Sequence, residues 1–329
     1  MNRRFSQITN GDAGGTAFRQ SGRFGVQTAS GSEMSAFAMA ADQAATLSDG
    51  NEQENWGAFV EVVYFTGDER NGFSGASSNL EGTSITAGLD GEIDENLRFG
   101  GFFNYTDTDT DDNSGTMTST EGFLAGVYGS YTFGNNAALS AYAGWGEQDA
   151  SLTRIQGLTG TQLSGDTTAE QFILGIDVSR QFKAPGFIVE PSLGIDYYDA
   201  ALDKYGETGG AGALIYDDQG ITSAQAHIGA LIHVFDPASD TNFRPTLGGR
   251  FINDLSDETP EIDARFLSGG IQSSFATNGV STDDSWFEVN ANVELVSSTG
   301  IEVSGFAAHT FDRDELEYTS FGLSARKTF

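Results

Sequence analysis

From Tyr318 to Phe329 the chain alternates: Phe321, Leu323, Ala325 and Phe329 share one face, while Ser320, Gly322, Ser324, Arg326 and Thr328 share the other. Strand side chains repeat with a period of two, so the pattern predicts a strand that is apolar on one side and small or polar on the other. Such a strand suits a barrel wall between lipid and a wet lumen. The same alternation predicts eleven more strands, at 56–65, 82–91, 96–106, 120–133, 137–148, 168–182, 186–198, 221–235, 242–253, 285–296 and 299–311, before the last at 317–329. Within each strand the faces stay consistent. Trp56, Val60, Val62 and Tyr64 oppose Glu61; Ile85, Ala87 and Leu89 oppose Thr86 and Asp90; Phe172, Leu174, Ile176 and Val178 oppose Asp177. Twelve is an even number, as single-chain bacterial barrels require.

The connections alternate in length. Segments 66–81, 107–119, 149–167, 199–220 and 254–284 are long; Gly91 to Glu95, Gly134 to Asn136, Lys183 to Pro185, Asp236 to Thr241 and Ser297-Ser298 are short. Long external loops opposite short periplasmic turns are the topology of outer-membrane barrels, and no soluble sandwich needs it. Aromatic residues fall at both strand ends: Tyr64, Tyr105, Trp145, Tyr197, Phe251 and Phe321 toward the loops, Trp56, Tyr131, Phe133, Phe187, Phe243 and Phe329 toward the turns. Two interfacial girdles are expected from this placement.

Composition narrows the class further. The chain has 329 residues, with 43 Gly, 5 Pro, 25 Phe and 10 Tyr, which fits many close-packed strands. No run of about 18 apolar residues offers a helical span. The mean hydropathy of −0.28 is no objection, because a barrel strand shows lipid only half its residues. There is no cysteine, so neither disulfides nor thiolate metal sites are available. The start, MNRRFSQITNGD, lacks the apolar core of a secretory signal, so Met1 is expected to begin a mature or expressed fragment. A net charge of −31 excludes nucleic acid as a partner. Residues 1–24 hold Arg3, Arg4, Arg19 and Arg23 against Asp12, a net +3 that leaves −34 for the rest. Three regions follow: a basic lead, 1–32; a helix and connection, 33–50; and the barrel, 51–329. The helix is predicted over Glu33 to Leu47, after Ser32 as N-cap and before Gly50; its Met34, Phe37, Ala41 and Ala45 would also make an ordinary amphipathic surface helix.

Four features together resemble the β-barrel translocator domain of autotransporters, the type V secretion proteins. They are Trp56 opening the first strand soon after a helix, Glu190-Pro191 at the centre of the seventh strand, Phe243-Arg244-Pro245 opening the ninth, and the C-terminal Phe329. The resemblance runs over roughly residues 30–329. It implies an all-β, twelve-stranded antiparallel pore in the bacterial outer membrane, plugged by the N-terminal helix, which exports and anchors an upstream passenger. It also implies lipid, lipopolysaccharide and the barrel-assembly machinery as partners, with Phe321, Leu323, Ala325 and Phe329 as the assembly signal. Lys327 stands where an aromatic is usual and can snorkel to the headgroups.

Parity places Glu61, Asp90, Asp177, Glu190, Asp196, Glu288, Glu294 and Glu302 in the lumen with Arg98, Arg244, Arg250 and Arg326. The inferred lumen is net negative and would attract the basic lead; a balanced, hydrated charge network is the plainer reading. Asp107, Asp109, Asp111 and Asp112 crowd one long loop in the alternating manner of Ca²⁺ loops, but the Gly and closing Glu of an EF-hand are missing; a solvated acidic loop competes with divalent bridging to lipopolysaccharide phosphates. His227 and His233 are assigned to the lumen and His309 to the lipid face near a loop end, where barrel phospholipases place a His-Ser pair. No nucleotide-binding or nucleophile motif occurs, and no cofactor is expected. Two alternatives to the translocator remain, a passive solute channel and a barrel enzyme such as a surface protease or phospholipase. The basic lead and small-residue helix serve neither.

Overall fold

The computed structural model describes residues 56–70, 77–94, 96–112, 115–133, 136–156, 159–234, 243–256, 261–267, 274–278, 285–297, 301–312 and 316–329; the basic lead and the helix expected over Glu33 to Leu47 lie outside the described residues. The strands are β1 (Trp56–Arg70), β2 (Ser77–Asp94), β3 (Leu97–Asp112), β4 (Met117–Phe133), β5 (Ala137–Gln156), β6 (Thr161–Arg180), β7 (Phe182–Ala184), β8 (Phe187–Leu202), β9 (Tyr205–Gly206), β10 (Leu214–Tyr216), β11 (Gln219–Val234), β12 (Phe243–Asp254), β13 (Glu261–Phe266), β14 (Ser274–Asn278), β15 (Ser285–Val296), β16 (Ile301–Phe311) and β17 (Leu316–Thr328).

Twelve of these close into one antiparallel barrel, β1-β2-β3-β4-β5-β6-β8-β11-β12-β15-β16-β17. The wall is sealed where β17 pairs with β1, from Gly57 opposite Thr328 to Glu69 opposite Leu316. Closure leaves no strand edge to face hydrocarbon, which is the condition for a sheet to cross a membrane. The turns have local causes. Between β2 and β3 the Asp94 carboxylate accepts the backbone N–H groups of Asn96 (2.8 Å) and Leu97 (2.9 Å), an Asx turn. Before β8, Gly186 takes a φ of 85°, a left-handed conformation that glycine adopts without penalty.

Exposure alternates along every wall strand. On β1, Trp56, Val60, Val62 and Tyr64 are exposed while Phe59, Glu61, Val63 and Phe65 are buried. The exposed set forms the apolar outer surface that lipid covers. Inside, several aromatic rings lie flat across glycines of the adjoining strand: a Cβ on Gly82, Gly88 or Gly126 would run into the rings of Phe65, Phe59 and Phe102. Glycine is needed at these positions because a neighbouring ring occupies the side-chain space.

The strands overrun the segments that sequence assigns to loops. β3 continues to Asp112, β4 starts at Met117, β5 reaches Gln156 and β6 starts at Thr161, so most of 107–119 and 149–167 is wall. The outward residues change there from apolar to acidic or hydroxylated, as at Asp107, Asp109, Glu121 and Asp149, while the inward Thr106, Thr108, Thr118 and Thr120 keep the alternation. Apolar alternation stops where lipid stops; the hydrogen-bonded ladder does not. Two more long connections, 199–220 and 254–284, contribute β9, β10, β13 and β14 to a separate four-stranded sheet, β14-β13-β10-β9, at the loop end.

This small sheet is tied to the wall through Arg154 of β5. Its guanidinium donates to both Glu207 carboxylate oxygens (2.5 and 2.6 Å) and to the Gly212 carbonyl (2.9 Å), and Glu207 also accepts the Leu214 N–H. Glu207 holds the Arg154 guanidinium above its already high ordinary pKa. Changing Glu207 to Ala leaves the guanidinium without its bidentate partner. Cleavage of 203–218 by added protease is expected to rise by about tenfold or more, since a charge-assisted bond contributes on the order of 2 kcal/mol, with the barrel's resistance to heat unchanged. Equal proteolysis of variant and parent would show that the clamp is not what anchors the loop.

Candidate functional site: the lumen

The lumen is built from the buried parity of the twelve wall strands. Glu61, Asp90, Arg98, Glu190, Asp196, Arg250, Glu288 and Glu294 are buried there; Asp177, Arg244 and Glu302 are half-buried on the same parity. Pairing is extensive. Arg250 and Glu288, opposite each other on β12 and β15, meet at 3.1 Å; Arg244 and Glu294, opposite on the same two strands, meet at 3.3 Å.

The most connected group is Asp90. Arg326, on the last strand, donates to both its carboxylate oxygens (2.7 and 2.6 Å), Arg98 donates to one (2.6 Å), and the Tyr128 hydroxyl donates to the other (2.9 Å). Arg326 reaches Asp90 by crossing β1 at Gly57, where a Cβ would sit only 2.7 Å from its guanidinium carbon. The bond thus spans the seam between last strand and first. A second centre is His227, whose Nε2 lies 3.0 Å from Asp177 and whose Nδ1 lies 3.2 Å from Asp196, with the Tyr142 hydroxyl donating to Asp196 at 2.9 Å. In a third, Glu190 accepts from Ser179 (2.9 Å) and Gln181 (3.1 Å) and faces His233 at 3.4 Å. Eight carboxylates against four guanidiniums suggests a strongly negative channel, yet most of these carboxylates have a cationic or hydrogen-bonding partner within 3.5 Å. The resulting field is weaker than the count implies.

A feature that parity made available and that polarity alone obscured is an apolar wall inside the lumen. Phe59, Phe102, Leu124, Tyr128, Tyr142, Ile173, Tyr198 and Ile221 are buried in one cluster on the strands from β1 to β11. The alternation predicts a lumen face that is small or polar, and here it is neither. The signal was present as glycine facing aromatic in neighbouring strands.

The remaining candidates sit outside this network. Asp107, Asp109 and Asp111 are exposed along the outer face of β3, on strand rather than loop, and Asp112 ends that strand. Among the described residues no group of three or more His, Asp or Glu side chains is arranged to hold a metal ion. His309 is half-buried on β16; its Nδ1 is 2.8 Å from the Thr319 hydroxyl and its ring meets Phe311 edge-on. Phe321, Leu323 and Phe329 are exposed on the outer face of the last strand, and Ala325 shares that face.

The model of the autotransporter β-domain family matches residues 58–307. No curated protein sequence matches the chain. Among solved structures, the translocator domain of the autotransporter NalP from Neisseria meningitidis shares the fold at a TM-score of 0.69 with 13% identity, over 85% of this chain and 90% of that one. The β-domain of the Bordetella autotransporter BrkA follows at 0.62 and 15%, over 84% and 100%. The transport unit of AIDA-I from Escherichia coli gives 0.58 and 14%, over 86% and 93%. With a twelve-stranded closed barrel and a family match over most of its length, the chain belongs to the autotransporter β-domain family, the outer-membrane translocators.

Proposed function

We propose that the translocator works with its own residues 33–50 as plug, 1–32 as the linker to a passenger, and 51–329 as the pore. The observation that carries this is the apolar wall of the lumen. Eight large apolar or aromatic side chains are buried together inside the barrel, and a segment seated against them gains roughly 25 cal/mol for each Å² of its own apolar surface removed from water. A helix about 10 Å wide, bearing Met34 and Phe37 among small residues, is the segment of this chain suited to cover them. The basic lead, with four Arg in its first 24 residues, complements the lumen carboxylates.

The same plug argues against a passive solute channel. We further assign Phe321, Leu323, Ala325 and Phe329 to recognition by the barrel-assembly machinery, and the acidic outer wall above the girdle to contact with lipopolysaccharide through divalent ions.

Deleting residues 1–50 is expected to raise single-channel conductance in planar bilayers severalfold and to favour cations, because the uncovered lumen carries more carboxylates than guanidiniums. Barrel stability should change little, since the strand ladder closes without them. Equal conductance of deleted and full-length chains would remove the plug and return the passive channel as the better reading.

A further inference from the structure

The lipid-facing surface carries a charge where β6 runs into β7. Ser179 and Gln181 turn into the lumen, where both donate to Glu190, so Arg180 between them points outward, and it is exposed. Its guanidinium carbon lies 5.1 Å from the ring centroid of Phe182, which is two residues nearer the turn and itself 51% exposed. A cation over an aromatic face is held there by the ring's quadrupole. The outer face around the pair is uncharged: Ala137 stands opposite Arg180 on β5, Val178 precedes it, and Val189 stands opposite Phe182 on β8.

Register fixes the height of this pair in the membrane. In the loop-end girdle, Phe123 of β4 is followed by Trp145 of β5, two residues nearer the turn than the partner of Phe123, and then by Phe172 of β6, opposite Trp145. The same two steps taken from Tyr131 lead to Ala137 and then to Arg180, so Arg180 lies level with Tyr131 in the turn-end girdle. Along β6, the distance from Phe172 to Arg180 is about 20 Å of height, at roughly 3.3 Å per residue and a tilt near 40°. An apolar band about 25 Å tall ends just beyond that point. The guanidinium, directed toward Phe182, therefore reaches the headgroups rather than hydrocarbon.

Charge on the lipid-facing parity is segregated. Among the described residues its charged side chains at the turn end are Arg180 and Lys327, both cationic, whereas Asp107, Glu121, Asp149 and Glu170 lie at the loop end. Short turns face the periplasm in barrels of this class, so the cations meet the inner leaflet. A guanidinium presents a planar fork of donors that matches the oxygens of a phosphate. Lys183, exposed beside the turn, brings a second cation to the same end and favours a headgroup of net negative charge over a zwitterionic one. We propose that Arg180, seated over Phe182, binds the phosphate of an anionic phospholipid in the periplasmic leaflet, whose acyl chains lie along the outer face past Ala137 and Val178.

The test uses the purified full chain in detergent and counts bound lipid by native mass spectrometry as dioleoyl phosphatidylglycerol or dioleoyl phosphatidylethanolamine is titrated in. The parent is expected to bind phosphatidylglycerol about tenfold more tightly than phosphatidylethanolamine. Arg180→Gln should lose that preference, with phosphatidylethanolamine binding and heat-modifiability on gels unchanged. Arg180→Lys keeps the charge and should keep most of the preference, as should Lys327→Gln on the far side of the barrel. A parent without the preference, an Arg180→Gln chain that retains it, or an equal loss in Arg180→Lys or Lys327→Gln overturns the proposal and leaves the translocator standing. Displacement of the lipid by inorganic phosphate overturns it as well, because the site would then take the free anion.

Discussion

Replacing Asp90 by Ala is expected to lower the temperature at which the compact form of the barrel unfolds on gels by more than any other single lumen substitution. The carboxylate accepts from two guanidiniums and a phenol, and its removal leaves Arg326, 2% exposed, without the carboxylate that accepts from both of its terminal nitrogens. Breaking a buried pair from one side costs about 3–5 kcal/mol, because the surviving charge stays desolvated. The effect is sharpened by location. Arg326 belongs to the last strand and Asp90 to β2, so the bond clips β1 between its two neighbours. Removing both partners, with Asp90→Leu and Arg326→Leu, should recover part of the loss, since an apolar pair of similar volume is tolerated where a lone charge is not. An unfolding temperature in Asp90→Ala equal to the parent's would show that the clip does not hold the seam.

Leu323→Asp should have the second large effect, on insertion rather than on the finished barrel. Leu323 is 68% exposed on the outer face of β17, between Val62 of β1 and Gly305 of β16. A carboxylate there faces hydrocarbon, which costs on the order of a few kcal/mol near the bilayer midplane. Removal of Phe329 is expected to act in the same direction by spoiling the aromatic end of the strand. Both variants should accumulate in the periplasm as protease-sensitive chain, with surface-exposed barrel reduced by about tenfold or more. Leu323→Ile should assemble as the parent does. Normal surface assembly of Leu323→Asp and of the Phe329 deletion would end the assignment of β17 as the assembly signal.

Ile85, Ala87 and Leu89 are exposed and Asp90 is buried on one strand, in step with the alternation that opposite surroundings impose on successive side chains. The loops were misjudged where that contrast vanishes: Asp107 and Thr108 are both polar, so nothing in their character reveals that they lie on opposite faces of a continuing strand. Charge pairs between adjacent strands, such as Arg250 with Glu288, become legible once register is known. Asp90 with Arg326 could not be read in this way. The two residues are 236 positions apart and are brought together only when the last strand meets the first. The apolar lumen wall was hidden for another reason: the inward Phe59 and Phe102 resemble lipid-facing residues in everything but parity.

The height of the wall sets a length requirement on whatever leaves through it. β5 continues for eleven residues beyond Trp145, the girdle position, to Gln156, which at about 3.3 Å per residue and a tilt near 40° is roughly 28 Å of rise. A fully extended chain gains at most about 3.5 Å per residue, so roughly eight residues are spent inside the wall after the lipid surface has been passed. The first residue able to fold outside is therefore set by the height of the wall, and a chain leaving the lumen must spend that many residues before any of it can fold beyond the rim.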